Sequence, residues 1–308
     1  MTETTRRAGM FAPAPGGTAE LAGRPVARIG FGVMQLERAG VGRDAALAIL
    51  RQAVEAGVNH LDTAEFYGDC NDLIRAALAP YDDDLVLATK VGAVRDAAAR
   101  PPIVPAQRPA ELRAQVEANL ASLGAEQVTV VNLRRIDAPP GIIAEGEQRV
   151  DLDDQLAELT ALRDAGKIGA IGLSNVSAAQ LAQALPAGIA CVQNSYSVLD
   201  RAAEPVLDLC RAHGVAWVPF FPLGSSGFGS MRKVTDDPTV TAVAAGLGVT
   251  PAQAGLAWQL AHYERTLLIP GTASPAHLAE NLAAGAVELP AAAVAALDQL
   301  APYPKEEA

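Results

Sequence analysis

A regular alternation of short β-rich segments with longer helical patterns restricts the fold of this chain more than any other feature. Candidate strands, rich in Val, Ile and Leu, cover residues 27–31, 58–61, 85–89, 128–133, 168–173, 191–194, 216–220 and 266–269. Amphipathic segments rich in Ala and Leu lie between most of them, at residues 44–56, 71–78, 110–123, 152–165, 178–185, 203–212 and 251–261. Because consecutive parallel strands are usually joined through a helix, this order predicts a parallel sheet covered by helices.

Two folds have this order of elements, and the first glycines of the chain separate them. A doubly wound dinucleotide-binding sheet opens with G-x-G-x-x-G directly after its first strand. Here Gly30-Phe31-Gly32 is followed by Val33-Met34-Gln35, with no third glycine and no immediate helix. Eight strands within 308 residues instead suit a (β/α)8 barrel. We therefore predict one α/β domain, a (β/α)8 TIM barrel over residues 26–305, with residues 1–25 as an N-terminal arm or hairpin that caps the barrel bottom.

The charge balance limits the partners of the chain. The formal net charge is −11, which argues against a nucleic acid or an anionic membrane as a partner. An anionic ligand would need a local cluster of donors, because the field of the whole protein repels it. A small-molecule ligand is therefore the expected partner, and Ala-rich outer helices such as residues 290–300 leave a homo-oligomer open.

Cysteine usage favours a reducing compartment. Cys70, Cys191 and Cys210 are far apart and lack CxxC spacing, so they predict neither a disulfide framework nor a zinc site. Residues 1–17 carry Arg6-Arg7 but no continuous apolar segment, and no uncharged apolar run has the length that spans a bilayer. We expect a cytoplasmic protein without a metal site.

Three groups that together can protonate a carbonyl follow two neighbouring candidate strands. Asp62 and Tyr67 belong to Asp62-Thr63-Ala64-Glu65-Phe66-Tyr67-Gly68, and Lys90 lies in Thr89-Lys90-Val91-Gly92. An isolated phenol, which titrates near ~10, is a poor acid at neutral pH. A nearby ammonium stabilises the phenolate, and a carboxylate behind the ammonium keeps it charged and in place. The set predicts a tyrosine that protonates a carbonyl oxygen while a second reactant delivers hydride to the carbon.

In a barrel, functional groups lie at the C-terminal ends of the strands. The candidates at or just after predicted strands two to eight are Asp62, Lys90, Arg134, Ser174-Asn175, Gln193, Phe220 and Gly271-Thr272. Asn132 has the strand parity of Arg134 and is expected to point into the barrel as well. The Pro-rich stretch 100–109 and the Gly- and Pro-bearing stretch 138–147 are expected to be loops over the barrel mouth.

In their order and spacing, the motifs of this chain resemble the aldo-keto reductase superfamily from residue 28 to the last helix. They are Gly30-Phe31-Gly32-Val33-Met34, Leu61 through Gly68, Ala88-Thr89-Lys90-Val91-Gly92, Ile171-Gly172-Leu173-Ser174-Asn175, Gln193-Asn194 with Tyr196, Pro222-Leu223-Gly224, and Ile269-Pro270-Gly271-Thr272 leading to Glu280-Asn281. Val131-Asn132-Leu133-Arg134 and Pro219-Phe220-Phe221 are most similar to a bacterial branch that includes pyridoxal reductases. The resemblance implies a (β/α)8 barrel that reduces carbonyls with NAD(P)H.

The resemblance also implies four catalytic residues. Tyr67 matches the general acid, and Lys90 with Asp62 would make its proton more acidic. Arg134 stands where the family has a histidine that orients the carbonyl. A guanidinium only donates and cannot act as a base. Arg134 would therefore either steady the developing alkoxide or bind an acidic substituent of the substrate.

The implied cofactor site extends over the same end of the barrel. Gly32, Val33, Met34 and Asp62 border it, Ser174, Asn175 and Gln193 match the residues on the nicotinamide carboxamide, and Phe220 takes the place of the stacking aromatic ring. Leu223, Gly224 and Ser225 match the pyrophosphate segment, and Gly271, Thr272, His277, Glu280 and Asn281 match the adenosine end.

The expected cofactor is NADPH/NADP+, and NADH stays open. Gly271 and His277 stand where many family members bind the 2′-phosphate with a Lys and an Arg. Backbone donors after Gly271, the Thr272 hydroxyl and the N-terminus of a helix at Ser274-Pro275 offer other donors to a phosphate.

The expected activity is NADPH-dependent reduction of an aldehyde or ketone to an alcohol, with Tyr67 as the general acid. A pyridoxal reductase is the more specific alternative. A third hypothesis is a barrel that binds nicotinamide cofactor as a redox sensor with little turnover. The Arg134 substitution and the missing 2′-phosphate residues keep that hypothesis open, and the intact Asp62, Tyr67 and Lys90 weigh against it.

Overall fold

The computed structural model describes residues 13–37, 40–224 and 231–300. The predictions for residues 1–12, for residues 301–305 and for Ser225 lie outside these described residues. The strands are β1 (Thr18–Leu21), β2 (Arg24–Ala27), β3 (Phe31–Gly32), β4 (His60–Asp62), β5 (Val86–Val91), β6 (Ala93–Arg95), β7 (Ile103–Pro105), β8 (Val128–Arg134), β9 (Ile168–Ser174), β10 (Ile189–Gln193) and β11 (Ala216–Trp217). The helices are α1 (Arg43–Glu55), α2 (Cys70–Leu78), α3 (Pro109–Leu123), α4 (Leu152–Asp164), α5 (Ala178–Ala184), α6 (Glu204–His213), α7 (Pro238–Leu247), α8 (Pro251–His262), α9 (Pro275–Ala283) and α10 (Ala291–Asp298).

A parallel sheet of seven strands, in the order β11-β10-β9-β8-β5-β4-β3, curls until its two edges meet a further segment of the chain. On the β3 side, the amide of Leu268 donates to the Arg28 carbonyl at 2.7 Å and the amide of Gly30 donates to the Leu268 carbonyl at 2.8 Å. On the β11 side, the amide of Leu267 donates to the Trp217 carbonyl at 2.8 Å. The segment predicted as the eighth strand, residues 266–269, thus closes the barrel, and the predicted (β/α)8 fold is confirmed.

An antiparallel hairpin of β1 and β2 covers the N-terminal ends of the barrel strands. Its buried Leu21 and Val26 pack against inward side chains near the starts of those strands, among them Val86, Val130 and Ala216. Apolar contacts of this kind exclude water from the bottom of the barrel. The division of the chain at residues 25 and 26 stays a prediction, and β2 crosses that position.

A second apolar layer lies between the outside of the barrel and the surrounding helices. Leu50 of α1, Leu159 of α4 and Leu207 of α6 are fully buried in it. Helices α5 and α8 begin with capping boxes, in which the Ser177 and Thr250 side chains accept backbone N–H groups that no helical carbonyl reaches. The helices are therefore fixed both by their apolar faces and at their first turns.

One helix and one hairpin were not predicted from the sequence. Helix α7 consists mainly of Ala, Val and Thr, so it lacks the polar face that marks an amphipathic helix. Strands β6 and β7 form an antiparallel hairpin beyond β5, with Val94 opposite Val104, inside and next to the stretch expected to be a loop. Proline is tolerated in β7 because an edge strand has an outer side that makes no ladder hydrogen bonds.

His60 on β4 is a buried titratable residue remote from the barrel mouth. It is 1% exposed, and its ring lies so close to Gly30 that a Cβ there would be 2.2 Å from its Nε2 atom. Burial lowers the pKa of His60 from 6.5 to about 4, because the charged ring loses its hydration. The folded protein therefore holds this ring in its neutral form at neutral pH.

We expect His60 to make the protein less stable in mild acid. Its folded pKa of about 4 lies below the unfolded value of 6.5, so the unfolded chain binds the extra proton and stability falls as pH drops through this window. The loss amounts to about 3 kcal/mol when the window has been crossed. Chemical unfolding of wild type and His60→Leu at several pH values checks this. Carboxylates contribute equally to both proteins, so a difference in unfolding free energy that stays constant with pH contradicts the expectation.

Candidate active site

Asp62 and Lys90 form a buried ion pair at the C-terminal ends of two adjacent strands. Asp62 ends β4 and pairs with Ala88 of β5, so Lys90, two residues further, lies on the same face of the sheet. Lys90 Nζ donates to Asp62 Oδ1 and, at 3.1 Å, to the Thr63 carbonyl. Burial lowers the pKa of Lys90, but the Asp62 carboxylate and the Tyr67 phenol outweigh burial, so the net pKa lies above the ordinary Lys value. Lys90 is therefore a cation at neutral pH.

Tyr67 lies over this ion pair in the turn that follows β4. Lys90 Nζ is 5.0 Å from the centroid of the Tyr67 ring. The neighbouring Phe66 ring packs edge-on against Tyr67, with 5.0 Å between the two centroids. The structure thus brings together the carboxylate, the ammonium and the phenol that the sequence placed on separate segments.

Arg134 ends β8 and lies at the same mouth. Its Nη2 donates to the Pro140 carbonyl at 3.2 Å, whereas its buried Nε has no hydrogen-bond partner. Burial lowers the pKa of Arg134, and the Tyr67 phenol acts in the opposite direction. Asn132 lies on the same face of β8 as Arg134, as its strand parity predicted. It is fully buried and donates to the Thr89 carbonyl at 3.2 Å.

A cavity of about 340 Å³ opens over these groups. The predicted site residues that line it are Gly32, Met34, Asp62, Tyr67, Lys90, Arg134, Phe220, Leu223, Gly224, Gly271 and Asn281. Two of them, Gly32 and Gly271, come from chain segments that touch through their backbones: a Cβ on Gly271 would lie 2.3 Å from the Gly32 carbonyl oxygen. Glycine is therefore required at this side of the cavity for steric reasons.

Ser174 and Gln193 lie buried at the ends of β9 and β10, where they are register partners. Gln193 Nε2 donates to Asp62 Oδ2 at 2.6 Å. The Ser174 hydroxyl oxygen and Gln193 Oε1 have no hydrogen-bond partner, although unpaired buried polar atoms are costly. A hydroxyl and a free amide oxygen complement a carboxamide, which has both N–H donors and a carbonyl acceptor. These two orphan atoms fit the nicotinamide end of the expected cofactor.

The remaining predicted residues lie around the cavity without lining it. Val33 is fully buried in the apolar layer. The Asn175 amide donates to the carbonyls of Arg135 and Ala138, at 3.2 and 2.8 Å. On the segment leading into α9, the Thr272 hydroxyl accepts the Ser274 amide, and His277 is exposed. Glu280 accepts the Thr250 hydroxyl at 2.6 Å, so its carboxylate is already engaged.

Several residues of the cavity were not predicted. Gln35 follows the motif Gly32-Val33-Met34 directly, and its buried Oε1 has no hydrogen-bond partner. Glu37 and Arg95 form an ion pair at the cavity wall, and Ile103 of β7, the register partner of Arg95, also lines the cavity. The position of Gln35 directly after this motif could have marked it as a cavity residue in the sequence. Nothing in the local sequence marks the other three, because hairpin β6–β7 and the turn after β3 meet only in the folded chain.

A buried polar network connects the two strand ends behind the ion pair. The Thr63 hydroxyl donates to Asn71 Oδ1 at 2.8 Å, and Asn71 Nδ2 donates to Asn119 Oδ1 at 3.1 Å. The Thr89 hydroxyl donates to the same Asn119 oxygen at 2.6 Å. Thr63 follows Asp62 and Thr89 precedes Lys90, so Asn119 of α3 ties together the backbones that present both charged groups.

We expect Asn119→Ala to destabilise the protein by about 2 kcal/mol, because it leaves the buried Thr89 hydroxyl unpaired and Asn71 with only one acceptor. Loss of Asn119 should also let Lys90 shift by a fraction of an ångström. We therefore expect kcat/KM for the expected aldehyde reduction to fall about tenfold. Ser122→Ala is the matched control, since Ser122 is half-buried and Asn71 keeps its bond to Asn119. Equal effects of the two variants in chemical unfolding and in kinetics would contradict this role of Asn119.

Within the described residues, no three His, Cys, Asp or Glu side chains are grouped as a metal ion would require. In the same part of the chain, no single helix combines the length and the apolar composition needed to cross a membrane, although two bent helix pairs do so together.

Comparison with known proteins identifies the family. Residues 28–302 match the model of the aldo/keto reductase family. Pyridoxine 4-dehydrogenase of Escherichia coli is 43% identical over 289 residues, covering 91% of this chain and 97% of that protein. An oxidoreductase of Schizosaccharomyces pombe is 32% identical, covering 92% and 89% of the two chains.

Solved structures agree with the barrel. The thermostable aldo-keto reductase Tm1743, crystallised with the inhibitor epalrestat, has a TM-score of 0.75 at 25% identity and covers 92% of this chain and 99% of its own. An aldo/keto reductase of Klebsiella pneumoniae has a TM-score of 0.76 at 24% identity, covering 94% and 97%. Family match, identity and fold agree over almost the whole length, and the chain therefore belongs to the aldo/keto reductase family, as an NAD(P)H-dependent oxidoreductase.

Proposed function

We propose that this protein reduces an aldehyde or ketone to an alcohol with NADPH and that Tyr67 is the general acid. The observation that carries the proposal is the buried Lys90 cation, held between Asp62 and the Tyr67 ring at the wall of the cavity. A structural ion pair alone would not require a phenol beside it or an opening above it. Perturbed ionisable groups in a cleft are typical of catalytic sites.

In the proposed mechanism, the Tyr67 hydroxyl donates a hydrogen bond to the carbonyl oxygen of the substrate and transfers its proton as the alcohol forms. The Lys90 ammonium stabilises the phenolate that remains, because opposite charges attract strongly where water is excluded. Asp62 holds Lys90 in place, and Gln193 holds Asp62 from its other oxygen. In the reverse direction the same phenolate accepts the proton of the alcohol.

The residues that would hold the cofactor lie around the cavity and the strand ends. Ser174 and Gln193 offer their free polar atoms to the carboxamide, and Phe220 offers an aromatic face to the nicotinamide ring. When bound, NADPH supplies the hydride that adds to the carbonyl carbon. The N-terminus of α9 and the Thr272 hydroxyl are the groups we propose for the 2′-phosphate.

Arg134 would either support the oxygen on which negative charge develops or bind an acidic substituent of the substrate. It lines the cavity with Tyr67, and a guanidinium remains protonated at neutral pH. It replaces the histidine of other family members as a donor but cannot exchange protons. The acid role therefore falls on Tyr67 alone.

Pyridoxal is the more specific substrate candidate, because the E. coli relative named pyridoxine 4-dehydrogenase shares 43% identity with this chain. The proposed compartment is the cytoplasm, which suits three buried cysteines that are all free thiols. A homo-oligomer stays part of the proposal without direct support.

The test is the oxidation of NADPH and of NADH, followed by absorbance, with pyridoxal, simple aromatic aldehydes and a ketone as substrates. We expect turnover of at least one aldehyde and a higher kcat/KM for NADPH than for NADH. Turnover with NADH alone would overturn the cofactor assignment. Tight cofactor binding without any turnover would overturn the reductase and favour a redox sensor.

A further inference from the structure

The charges around the cavity do not balance. Three cationic and two anionic side chains line it: Lys90, Arg95 and Arg134 against Glu37 and Asp62. Lys90 is paired with Asp62, and Arg95 is paired with Glu37. Among the residues that the structure describes, no carboxylate forms an ion pair with Arg134. One positive charge therefore faces the cavity without an anionic partner.

Arg134 also has hydrogen-bonding capacity to spare. A guanidinium carries five N–H donors in a planar fork. In the described structure, one of them reaches the Pro140 carbonyl, and the buried Nε has no partner. A guanidinium with free donors binds an oxyanion better than a neutral oxygen, because the attraction between opposite charges adds to the hydrogen bonds.

Much of the wall of this cavity is apolar. It includes Phe66, Pro101, Pro102, Ile103, Pro140 and Phe221. A charge exposed to such walls loses hydration, and burial indeed lowers the pKa of Arg134. An anionic oxygen of a ligand would compensate for the hydration that Arg134 loses on burial, whereas a neutral ligand would leave the Arg134 charge unpaired.

Tyr67 and Arg134 line the same cavity, so one ligand can contact both groups. If the carbonyl oxygen of the ligand meets the Tyr67 hydroxyl, Arg134 stays available for an anionic oxygen elsewhere on the same ligand.

We propose that Arg134 selects aromatic aldehydes that carry an anionic oxygen substituent on the ring. The inference rests on the proposed reductase function and specifies its substrate class. Pyridoxal, whose ring hydroxyl is acidic, belongs to this class. Tyr67 binds the carbonyl oxygen, and the fork of Arg134 binds the anionic oxygen.

The experiment compares kcat/KM for 3-formylbenzoate and 4-formylbenzoate with kcat/KM for the corresponding formylbenzamides, which have the same shape and lack the negative charge. We expect wild type to prefer at least one formylbenzoate over its carboxamide roughly 10- to 100-fold, as a charge-assisted ion pair predicts. In Arg134→Met this ratio should fall to within about threefold of one, and Arg134→Lys, which keeps the charge without the fork, should be intermediate. Any loss of rate shared by the two members of a pair cancels in the ratio.

The outcomes separate this inference from the proposed function. Reduction of each formylbenzoate and its carboxamide at equal kcat/KM by wild type overturns the substrate class and leaves the reductase intact. A wild-type preference that survives in Arg134→Met overturns the role of Arg134. If wild type reduces no aldehyde at all, the proposed function fails and this inference fails with it. NADPH binding by each variant, measured by fluorescence, shows that the barrel is folded.

Discussion

Replacement of Tyr67 by Phe is expected to lower kcat/KM for aldehyde reduction by about 10²- to 10⁴-fold, the usual contribution of a positioned proton donor. The variant keeps the ring that packs against Phe66 and lies over Lys90, and it removes only the hydroxyl. Cofactor affinity should stay within about threefold of wild type, because Ser174 and Gln193 are untouched. Steady-state kinetics with NADPH, together with fluorescence titration of the cofactor, measures both quantities.

Tyr81→Phe provides the matched control for this variant. The Tyr81 hydroxyl donates to the Leu123 carbonyl at 2.6 Å, away from the cavity. Its loss should leave kcat/KM within about twofold of wild type and cost on the order of 1 kcal/mol of stability. If Tyr67→Phe turned over aldehydes as fast as Tyr81→Phe, the phenol would not be the proton donor.

Replacement of Lys90 by Met should have the largest effect on stability, since it leaves the Asp62 carboxylate buried without its cation. Removing one partner of a buried pair costs about 3–5 kcal/mol. The folded pKa of Lys90 lies above the ordinary value, so its contribution is fully present below the ordinary Lys pKa of ~10.4 and is lost only as pH rises through the higher folded value. Urea unfolding at neutral pH therefore measures the whole effect, and aldehyde reduction should fall as strongly as in Tyr67→Phe.

The double variant Lys90→Met with Asp62→Asn separates lost charge from lost packing. The amide introduced by Asp62→Asn is neutral and could still accept the hydrogen bond from Gln193, so no buried charge would remain unpaired. We expect the double variant to be more stable than Lys90→Met by about 1–2 kcal/mol while it stays inactive. A double variant less stable than Lys90→Met would mean that the unpaired Asp62 charge is not the source of the destabilisation.

The sequence by itself determined the barrel class and the residues that we propose as the central catalytic set. Strand parity and the position at strand ends are local properties, so Asp62 and Lys90 could be placed at the barrel mouth and Asn132 on an inward face before any contact was known. The order of the glycine-bearing motifs supplied the family. The identity of the eighth strand also followed from local pattern, and its pairing with Arg28 and Trp217 confirmed it.

Only the tertiary structure decided which distant groups meet at the mouth. The Glu37–Arg95 pair and the Asn119 network join segments that are far apart along the chain. Contacts between such segments decide whether a buried charged side chain is paired, and they therefore decide how much free energy its burial costs. The unpaired state of Arg134, from which we infer the substrate class, is therefore a property of the folded barrel that no local pattern in the sequence contains.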